Sequence, residues 1–409
     1  MSKVVKKEYL EEAAAGYNLR TAREEARRCL VCYDAPCSQA CPAGTDPAKF
    51  IRSLRFNNVK GAAETIRKNN PFGGSCAKVC PYDQLCQEAC SRCGIDKPIE
   101  IGRLQSFLVE QEKAFDMKNV EAPAEKKAGK VACIGAGPAS LTAASQLARQ
   151  GYEVTVYDAE EKAGGMLTYG IVPARLPQET VDYDIKLIEE LGVEFILGKK
   201  VESAEDLKAE GYDAVFVGAG LWGPKTVDVP GADAKGVYDA LDYLKKARET
   251  GGACDLGNKV IVIGGGDVAM DCAATAKLAG ADKVMIYYRR TIEEAPAEMA
   301  EINYVQSMGV TITTEFAPEE ILAEDGKVSF VRFKGRDGES EAKVKADRVV
   351  FAIGQTAEPI SGTDQEGIFM GGDFANGGKT VVEAVKDGKE AAAAIIDYLE
   401  QKAGVKECQ

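Results

Sequence analysis

The sequence predicts a multidomain α/β protein, in which an all-α, cysteine-rich domain precedes two Rossmann-like nucleotide-binding domains. Three observations support this fold class. Nine of the 13 cysteines lie between Cys29 and Cys93, in a stretch with helical apolar spacing. From residue 130 onward, strands and helices are predicted to alternate, which is typical of parallel sheets. A glycine-rich turn between a strand and a helix occurs twice, in 130–159 and in 259–291.

The first 115 residues are expected to be helical. A capping-box pattern at Thr21-Ala-Arg-Glu24 predicts the start of one helix, and apolar residues keep helical spacing over 47–70. Another amphipathic helix is expected over 100–115. The polar stretch 117–130 lacks aromatic residues, so it is interpreted as a linker.

The clustered cysteines have the short spacings of iron–sulfur ligands. The two runs read Cys29-x2-Cys32-x4-Cys37-x3-Cys41-Pro42 and Cys76-x3-Cys80-Pro81-x4-Cys86-x3-Cys90-x2-Cys93. Because a Cys-Pro step closes a run of ligands in two-cluster ferredoxins, two such runs indicate two clusters with interleaved ligands. Structural zinc and redox-active thiols are the alternatives. Zinc is disfavoured because the chain has no His and only two CxxC pairs.

Composition excludes several classes of function. The formal charge of −13 and the pI of about 4.9 argue against a nucleic-acid partner. No run of 18 apolar residues predicts a membrane span, and the first residues lack the apolar core of a signal peptide. We therefore expect a cytoplasmic protein, in which disulfides are rare. Without His, the chemistry is expected to rest on cofactors.

The first glycine-rich turn has every component of a dinucleotide fingerprint. Strand 130–134 leads into Gly135-x-Gly137-x-x-Ser140 and a helix, and strand 153–157 then ends at Asp158. The glycines allow a tight turn and close approach of a pyrophosphate, which the helix N-terminus stabilises. Asp158 follows Gly135 by 23 residues, at the position that binds a ribose hydroxyl.

The second turn differs from the first at the acidic position. Gly264-x-Gly266-x-x-Ala269 lies between a strand and a helix, but the residue 23 positions after Gly264 is Tyr287. Arg289 and Arg290 follow, and arginines at this strand end suit the 2′-phosphate of NADP(H). The alternative is that both arginines are solvated surface charges.

An acidic and an arginine-bearing fingerprint in one chain indicate FAD in the first site and a nicotinamide nucleotide in the second. Gly164-Gly165-Met166 could line the flavin. Near the C-terminus, Phe369-Met370-Gly371-Gly372-Asp373 resembles a strand end ahead of a helix from Thr380. There Asp373 could bind ribityl oxygens of a flavin.

These elements predict four stretches, in which the FAD-binding domain is interrupted by the NAD(P)-binding domain. The stretches are a helical iron–sulfur domain at 1–125, an N-terminal FAD-binding segment at 126–226, the NAD(P)-binding domain at 227–350 and a C-terminal FAD-binding segment at 351–409.

The cysteine runs, followed by GAGPAS, GGGDVAMD and GGD, resemble the electron-input module shared by glutamate synthase small subunits and dihydropyrimidine dehydrogenases. The resemblance covers nearly the whole chain. Four segments make the chain most similar to the N-terminal half of dihydropyrimidine dehydrogenase and to the separate bacterial NAD(P)H-accepting subunit. They are NPFGGSCAKVCPYDQLCQEAC (70–90), IEIGRLQSF (99–107), GAGPASL (135–141) and TVVEAVKDGKEA (380–391).

The resemblance implies two sets of [4Fe–4S] ligands. One set is Cys29, Cys32, Cys37 and Cys90; the other is Cys41, Cys80, Cys86 and Gln105. Since thiolate is the better donor, the chemistry alone would favour Cys76 or Cys93 over Gln105. Glutamate synthase small subunits tend to carry Glu at the Gln105 position.

The resemblance also implies the nucleotide contacts. Those to FAD are Gly135, Gly137, Pro138, Ala139, Asp158, Gly165, Met166, Arg175, Val201, Gly372, Asp373 and Thr380. Those to the nicotinamide nucleotide are Gly264 from the fingerprint itself, with Gly266, Asp267, Val268, Arg289, Arg290 and Gly354. Family members with similar arginine pairs include NADH users, which weakens the inference of NADP(H).

The implied function is an oxidoreductase subunit that accepts a hydride from NAD(P)H at FAD and passes single electrons through two clusters to a partner. The chain is too short to hold an FMN-binding catalytic domain, so the partner is expected to be a dihydropyrimidine dehydrogenase catalytic subunit that reduces uracil or thymine. A glutamate synthase small subunit, a ferredoxin:NAD(P) transhydrogenase subunit and a zinc-stabilised nucleotide sensor are the alternatives. In this chain only 357–366 connects two segments that the family separates by a longer hairpin.

Overall fold

The computed structural model of the chain describes residues 16–407. Residues 1–15 of the predicted helical domain and Cys408 lie outside the described residues. The described chain forms two compact units. The first contains 16–168, 178–221 and 357–407, and the second contains 169–177 and 222–356.

The first hundred described residues form short helices around one apolar core. The helices are α1 (Leu19–Arg27), α2 (Pro36–Gln39), α3 (Pro47–Arg55), α4 (Val59–Asn69), α5 (Gly73–Val79) and α6 (Ile101–Ala114), with 3₁₀ turns at Tyr82–Gln84 and Ser91–Gly94. Phe50, Leu54, Ile66, Leu104 and Phe107 are fully buried between them. The expected helix over 100–115 is thus confirmed.

Two local predictions in this helical region were wrong. The capping box lies three residues earlier than predicted: the Asn18 side chain accepts from the Thr21 N–H, and the Thr21 side chain accepts from the Asn18 N–H. The stretch 47–70 is two helices, because Asn58 accepts from the Gly61 N–H at 2.8 Å and starts α4 afresh. Asparagine is a strong N-cap, which helical apolar spacing does not reveal.

Strands and helices alternate as expected over 130–217 and 237–314, whereas the strands within 311–370 follow one another with no helix between them. In chain order the elements are β1 (Lys130–Ile134), α7 (Pro138–Arg149), β2 (Glu153–Tyr157), α8 (Met166–Tyr169), α9 (Gln178–Glu189), β3 (Glu194–Ile196), α10 (Ala204–Ala209), β4 (Ala214–Val217), β5 (Gly223–Pro224), β6 (Val237–Asp239), α11 (Ala240–Glu249), β7 (Lys259–Ile263), α12 (Asp267–Leu278), β8 (Lys283–Tyr288), α13 (Met299–Ser307), β9 (Thr311–Thr314), β10 (Phe316–Glu324), β11 (Lys327–Gly335), β12 (Glu341–Lys345), β13 (Arg348–Phe351), β14 (Gln355–Thr356), β15 (Ile368–Met370), α14 (Asp373–Asn376) and α15 (Val381–Glu407).

The first unit contains a parallel sheet in the order β15-β4-β1-β2-β3. The predicted strands 130–134 and 153–157 are confirmed as β1 and β2. Because β15 comes from the C-terminal region of the chain, the sheet is completed only after the second unit has been traversed. The second unit thus interrupts the first in sequence, as the predicted fold class requires.

The second unit has a parallel sheet of its own, in the order β6-β13-β7-β8-β9. An antiparallel sheet, β10-β11-β12, belongs to the same unit. Two apolar clusters fill it: one surrounds α11, α12 and α13, and the other includes stacked rings of Tyr287 and Phe333 at 3.8 Å.

The short connection 357–366 is fixed to the first unit. Ser361 donates its N–H to the Glu202 carbonyl and accepts from the Ala204 N–H, each at 3.0 Å. Ile360 packs on the apolar cluster of the first sheet. Among the helices of residues 16–407, none combines the length and apolarity that crossing a membrane requires.

Candidate iron–sulfur and nucleotide sites

Four thiols from both cysteine runs surround one cavity. Cys29, Cys32 and Cys37 come from the loop between α1 and α2 and from α2 itself, and Cys90 precedes the turn Ser91–Gly94. Ile51, Ile99 and Ile101 supply apolar walls. The four cysteines that the family resemblance assigned to one cluster therefore share one cavity, which is called the first thiol cavity below.

The loop of the first thiol cavity has an unusual backbone. Val31 has φ of +56°, which a β-branched residue rarely adopts, and its N–H donates to Cys29 Sγ at 3.5 Å. Hydrogen bonds to sulfur are among the factors that set the potential of an iron–sulfur cluster. Burial raises the pKa of Cys29, and it raises the pKa of Cys37 to about 11. Metal binding at these thiols must therefore release protons.

A second cavity is lined by Cys41, Cys76, Cys80, Cys86 and Gln105. It contains the second predicted ligand set, together with Cys76. The Thr45 N–H donates to Cys41 Sγ at 3.5 Å, as Val31 does in the first cavity. A hydrogen bond with Cys76 and burial raise the pKa of Cys80, and burial raises that of Cys86 to about 12. We call this space the second thiol cavity.

Gln105 enters the second thiol cavity from α6 with its amide held in one orientation. Its Nε2 donates to the Gly73 carbonyl at 2.7 Å, and the side chain is buried. The amide nitrogen is thereby occupied, so Oε1 is the atom left to act as a ligand. Cys93, the other alternative to Gln105, is exposed and lines neither cavity.

The cavities fit multi-iron clusters. The 12 cysteines within residues 16–407 are all free thiols. In this stretch of the chain no three Cys, Asp or Glu side chains gather as the ligands of one metal ion do. The thiols are spread around two separate spaces instead, the arrangement that an inorganic core with several irons requires.

The first glycine turn and its neighbours meet at the carboxyl end of the first sheet. Gly135 has φ of +92°, and a Cβ there would lie 2.7 Å from the Gly218 carbonyl oxygen, whereas a Cβ on Gly137 would meet nothing within 4 Å. The backbone at Gly137 is thus open to a phosphate. Pro138 and Ala139 form the first turn of α7, and Gly165 lies against Gly137.

Two other predicted flavin contacts of the first unit, Asp158 and Gly372, lie at this turn. Asp158 accepts from the Ala136 N–H, and a Cβ on Gly372 would lie 2.7 Å from the Ala139 Cβ. Asp373 accepts from the Lys379 N–H at 2.9 Å, and burial raises its pKa. Thr380 donates to Glu383 at the start of α15. Met166 begins α8, and Val201 packs beside the sheet.

The second glycine turn has the same construction in the second unit. Gly264 has φ of +155°, and a Cβ there would lie 2.2 Å from the Ala352 carbonyl oxygen. Gly266, Asp267 and Val268 open α12, and Asp267 accepts from the Glu298 N–H at 2.8 Å. Gly354 follows β13, at the same sheet edge as the turn after β7.

Arg289 and Arg290 are both exposed after β8. Two acids follow them closely, and Glu294 accepts from the Thr291 N–H and from Arg336. Hydrogen bonds from the Thr291 N–H and from Arg336 lower the pKa of Glu294, and the charges of Arg336 and Arg290 contribute less.

Arg175, a predicted flavin contact, pairs with two acids of the second unit. Its guanidinium lies 2.9 Å from Asp271 on α12 and 2.9 Å from Glu301 on α13. Burial raises the pKa of Asp271, and it raises the pKa of Glu301 from 4.5 to about 7. Between pH 4.5 and about 7, Glu301 keeps in the folded state a proton that it has lost in the unfolded state. The free energy of unfolding therefore falls as the pH rises through this range.

Sequence reasoning missed three residues that build these sites. Val382 of α15 lines the second thiol cavity, and Lys389 of the same helix donates to the carbonyls of Ala43 and Asn69. Asp184 of α9 binds the start of α5, the helix that carries Cys76. Asp184 belongs to no motif, and although Val382 and Lys389 lie in the segment 380–391, nothing in that segment reveals their contacts, because all three act on residues distant in sequence.

Two family models match the chain. Residues 6–117 match the 4Fe–4S cluster domain II of dihydropyrimidine dehydrogenase, and residues 129–365 match pyridine nucleotide-disulphide oxidoreductases. The chain is 44% identical to the NAD-dependent dihydropyrimidine dehydrogenase subunit PreT of Escherichia coli K12, over 96% of this chain and 98% of that subunit. The chain belongs to the PreT family.

The chain has more distant similarities as well. The glutamate synthase [NADPH] small chain of Halomonas elongata is 32% identical over 94% of this chain and 92% of its own length. FprA of Mycobacterium tuberculosis in complex with NADPH shares the fold with a TM-score of 0.59 and 17% identity, over 69% of this chain and 87% of its own. Members of the PreT family are named as subunits, which implies a catalytic partner.

This protein is accordingly an NAD(P)H-dependent oxidoreductase subunit of the PreT type. Its cofactors are FAD and two [4Fe–4S] clusters, with NAD(P)H as electron donor. The domain boundaries and the individual ligands predicted from the sequence stay predictions.

Proposed function

We propose that this subunit takes electrons from NADH and delivers them to a catalytic subunit that reduces uracil or thymine to the dihydropyrimidine. The observation that carries the proposal is Gln105 in the second thiol cavity beside Cys41, Cys80 and Cys86. According to the resemblance, glutamate synthase small subunits tend to carry Glu at this position. The 44% identity to a dihydropyrimidine dehydrogenase subunit, against 32% to a glutamate synthase chain, supports the same choice.

The two cavities supply the proposed cluster ligands. The first cluster is held by Cys29, Cys32, Cys37 and Cys90, and the second by Cys41, Cys80, Cys86 and Gln105. When bound, the flavin exchanges electron pairs with the nicotinamide, and the clusters carry single electrons. The chain itself orients these groups: the Gly73 carbonyl fixes Gln105, and the Val31 and Thr45 amides bind thiol sulfurs.

The nucleotide ligands follow from the two sheet edges. For FAD we propose the residues around Gly137, with Asp158 on a ribose and Asp373 on the ribityl chain. For the nicotinamide nucleotide we propose the turn at Gly266. We propose NADH rather than NADPH because the 44% identical relative is named NAD-dependent. The prediction of NADP(H) from Arg289 and Arg290 is tested by titrating the protein with NADH and NADPH in parallel.

The rim of the first thiol cavity is the proposed surface for the partner. Leu30 lines this cavity and is exposed, and Val31 and Tyr33 are exposed beside it. Residues 16–115 carry 15 Lys and Arg against 11 Asp and Glu, whereas the whole chain carries 51 against 64. An apolar partner surface with an acidic rim would complement this face.

The test is anaerobic purification with quantification of iron, sulfide, zinc and flavin, followed by titration with NADH and NADPH in parallel. Two [4Fe–4S] clusters would give about eight irons per chain. Bleaching of the flavin by NADH at lower concentration than by NADPH is expected. Zinc without iron, or no bleaching by either nucleotide, would contradict the proposal.

Variants of single cysteines separate ligands from spare thiols. Cys37→Ser is expected to lower the iron content by about half, because one cluster is lost. Cys93→Ser is the matched control, since this exposed thiol lines neither cavity, and it should keep full iron.

The substrate is tested by adding a dihydropyrimidine dehydrogenase catalytic subunit and following NADH oxidation with uracil. A parallel assay uses a glutamate synthase large subunit with glutamine and 2-oxoglutarate.

A further inference from the structure

A buried carboxylate from the region that carries the first glycine turn holds the helix that leads into the second thiol cavity. Asp184 lies on α9 and is fully buried. Its Oδ2 accepts from the Ser75 N–H and the Ser75 hydroxyl, each at 2.8 Å, and its Oδ1 accepts from the Gly74 N–H at 3.3 Å. The first turn of α5 is therefore capped by a residue more than a hundred positions away.

The sequence around this contact is adapted to it. A Cβ on Gly74 would lie 2.8 Å from Asp184 Oδ1, and a Cβ on Gly73 would lie 2.4 Å from the Ile66 side chain. Since real Cβ atoms do not approach so closely, the Gly73-Gly74 pair allows α5 to reach both neighbours.

Helix α5 connects the Asp184 contact to the second thiol cavity. Cys76 lies in α5, and Cys80 is its C-cap residue, whose N–H donates to the Cys76 carbonyl. At the other end of α5, the Gly73 carbonyl accepts from Gln105 Nε2. Displacing the first turn would thus move two thiols and the amide that line one cavity.

A buried ion network ties the same carboxylate to the helical domain. Arg67 of α4 lies 2.6 Å from Asp184 and 2.6 Å from Glu112 of α6, and the three side chains are at most 1% exposed. Arg67 also donates to the Pro71 carbonyl, just before α5. One charged cluster therefore joins α4, α6 and α9 to the start of α5.

We propose that Asp184 is a positioning residue for the second cluster: it fixes α5, and through Gly73 the Gln105 side chain, in the geometry that the cluster requires. The proposal rests on the proposed function, because it takes the second thiol cavity as a cluster site. The first thiol cavity has no wall from α5, so it is not expected to depend on Asp184.

The test is Asp184→Asn in the full-length, anaerobically reconstituted protein. Asp182→Asn, an exposed change on the same helix, is the matched control. Each cluster is followed by its EPR spectrum and potential, and its iron release to a chelator is timed. Exchange of the Gly74 and Ser75 amide hydrogens in the iron-free chain reports on α5 without any cluster.

Asp184→Asn is expected to alter the spectrum and potential of one cluster only, to speed its iron release at least about tenfold and to speed amide exchange at the start of α5. Ser75→Ala, which removes one donor, should give a smaller change of the same kind and serves if Asp184→Asn does not fold. Unchanged spectra, potentials and release in the variant that folds would overturn the proposal. A wild-type protein with no cluster, or one, would instead refute the proposed function.

Discussion

Arg67→Met removes the cation from the buried network of Arg67, Asp184 and Glu112. Both carboxylates are fully buried, and each loses a charged hydrogen bond of 2.6 Å. Methionine keeps much of the aliphatic volume, so the effect reports mainly on charge. Breaking a buried ion pair by removing one partner costs about 3–5 kcal/mol. We expect a loss of this size, which is a large fraction of the stability of an ordinary domain.

The two acids should not be equivalent in the Arg67→Met background. Asp184 keeps three donors from Gly74 and Ser75, whereas Glu112 keeps the Asn119 amide at 2.8 Å. Adding Glu112→Gln removes a poorly compensated charge and should recover about 2 kcal/mol. Adding Asp184→Asn should recover less, because an amide NH₂ would face the N–H groups of α5.

The assay is equilibrium urea unfolding of the full chain, followed by circular dichroism at constant pH. Arg20→Met is the control, since this arginine is exposed and pairs with Glu24 of its own helix, and no measurable change is expected. A loss below about 1 kcal/mol for Arg67→Met would show that the network is dispensable, since buried pairs cost more than this to break. Equal recovery by the two second substitutions would refute the assigned difference between the acids.

Three further outcomes are expected. Tyr33→Glu should slow electron delivery to the catalytic partner at least about tenfold while ferricyanide reduction stays unchanged, because the change adds charge to an exposed apolar rim; equal rates with the partner would contradict this. Gln105→Ala should change the EPR spectrum of one cluster and Cys76→Ser should change neither, and the reverse pattern would make Cys76 the ligand. Glu301→Gln should remove a fall in unfolding free energy between pH 4.5 and about 7, since the raised pKa of Glu301 makes its deprotonation costly in the folded state; parallel wild-type and variant curves would exclude this acid.

Much of the fold could be predicted because its determinants are local in sequence. Strands β1 and β2 begin and end where the sequence around the glycine turn indicates. The glycines at 135 and 264 must lack a Cβ, since a carbonyl oxygen lies within 2.7 Å of the position it would take. Each constraint of this kind requires glycine at one position, which can be recognised in the sequence.

The cluster ligands could be predicted only incompletely. Spacing indicated two clusters, but it could not divide nine cysteines between two cavities, because the division depends on how α5 packs against α6 and α9. The capping box was predicted three residues late because Thr21 and Glu24 match the usual sequence pattern, whereas in the structure Asn18 is the N-cap and Thr21 takes the N3 position. Arg175 was assigned to the flavin, and its pairing with Asp271 and Glu301 has no motif.

The second thiol cavity is lined by residues from both ends of the first unit. Its thiols come from the helical domain, Val382 comes from the C-terminal helix, and the helix that carries Cys76 is capped by Asp184. Lys389, one turn further along α15 than Val385, binds the carbonyl of Ala43 close to Cys41. Segments that follow the helical domain in sequence therefore shape the cluster environment directly. A helical domain excised at residue 125 would lack all of these contacts, so we expect it to keep the first cluster better than the second.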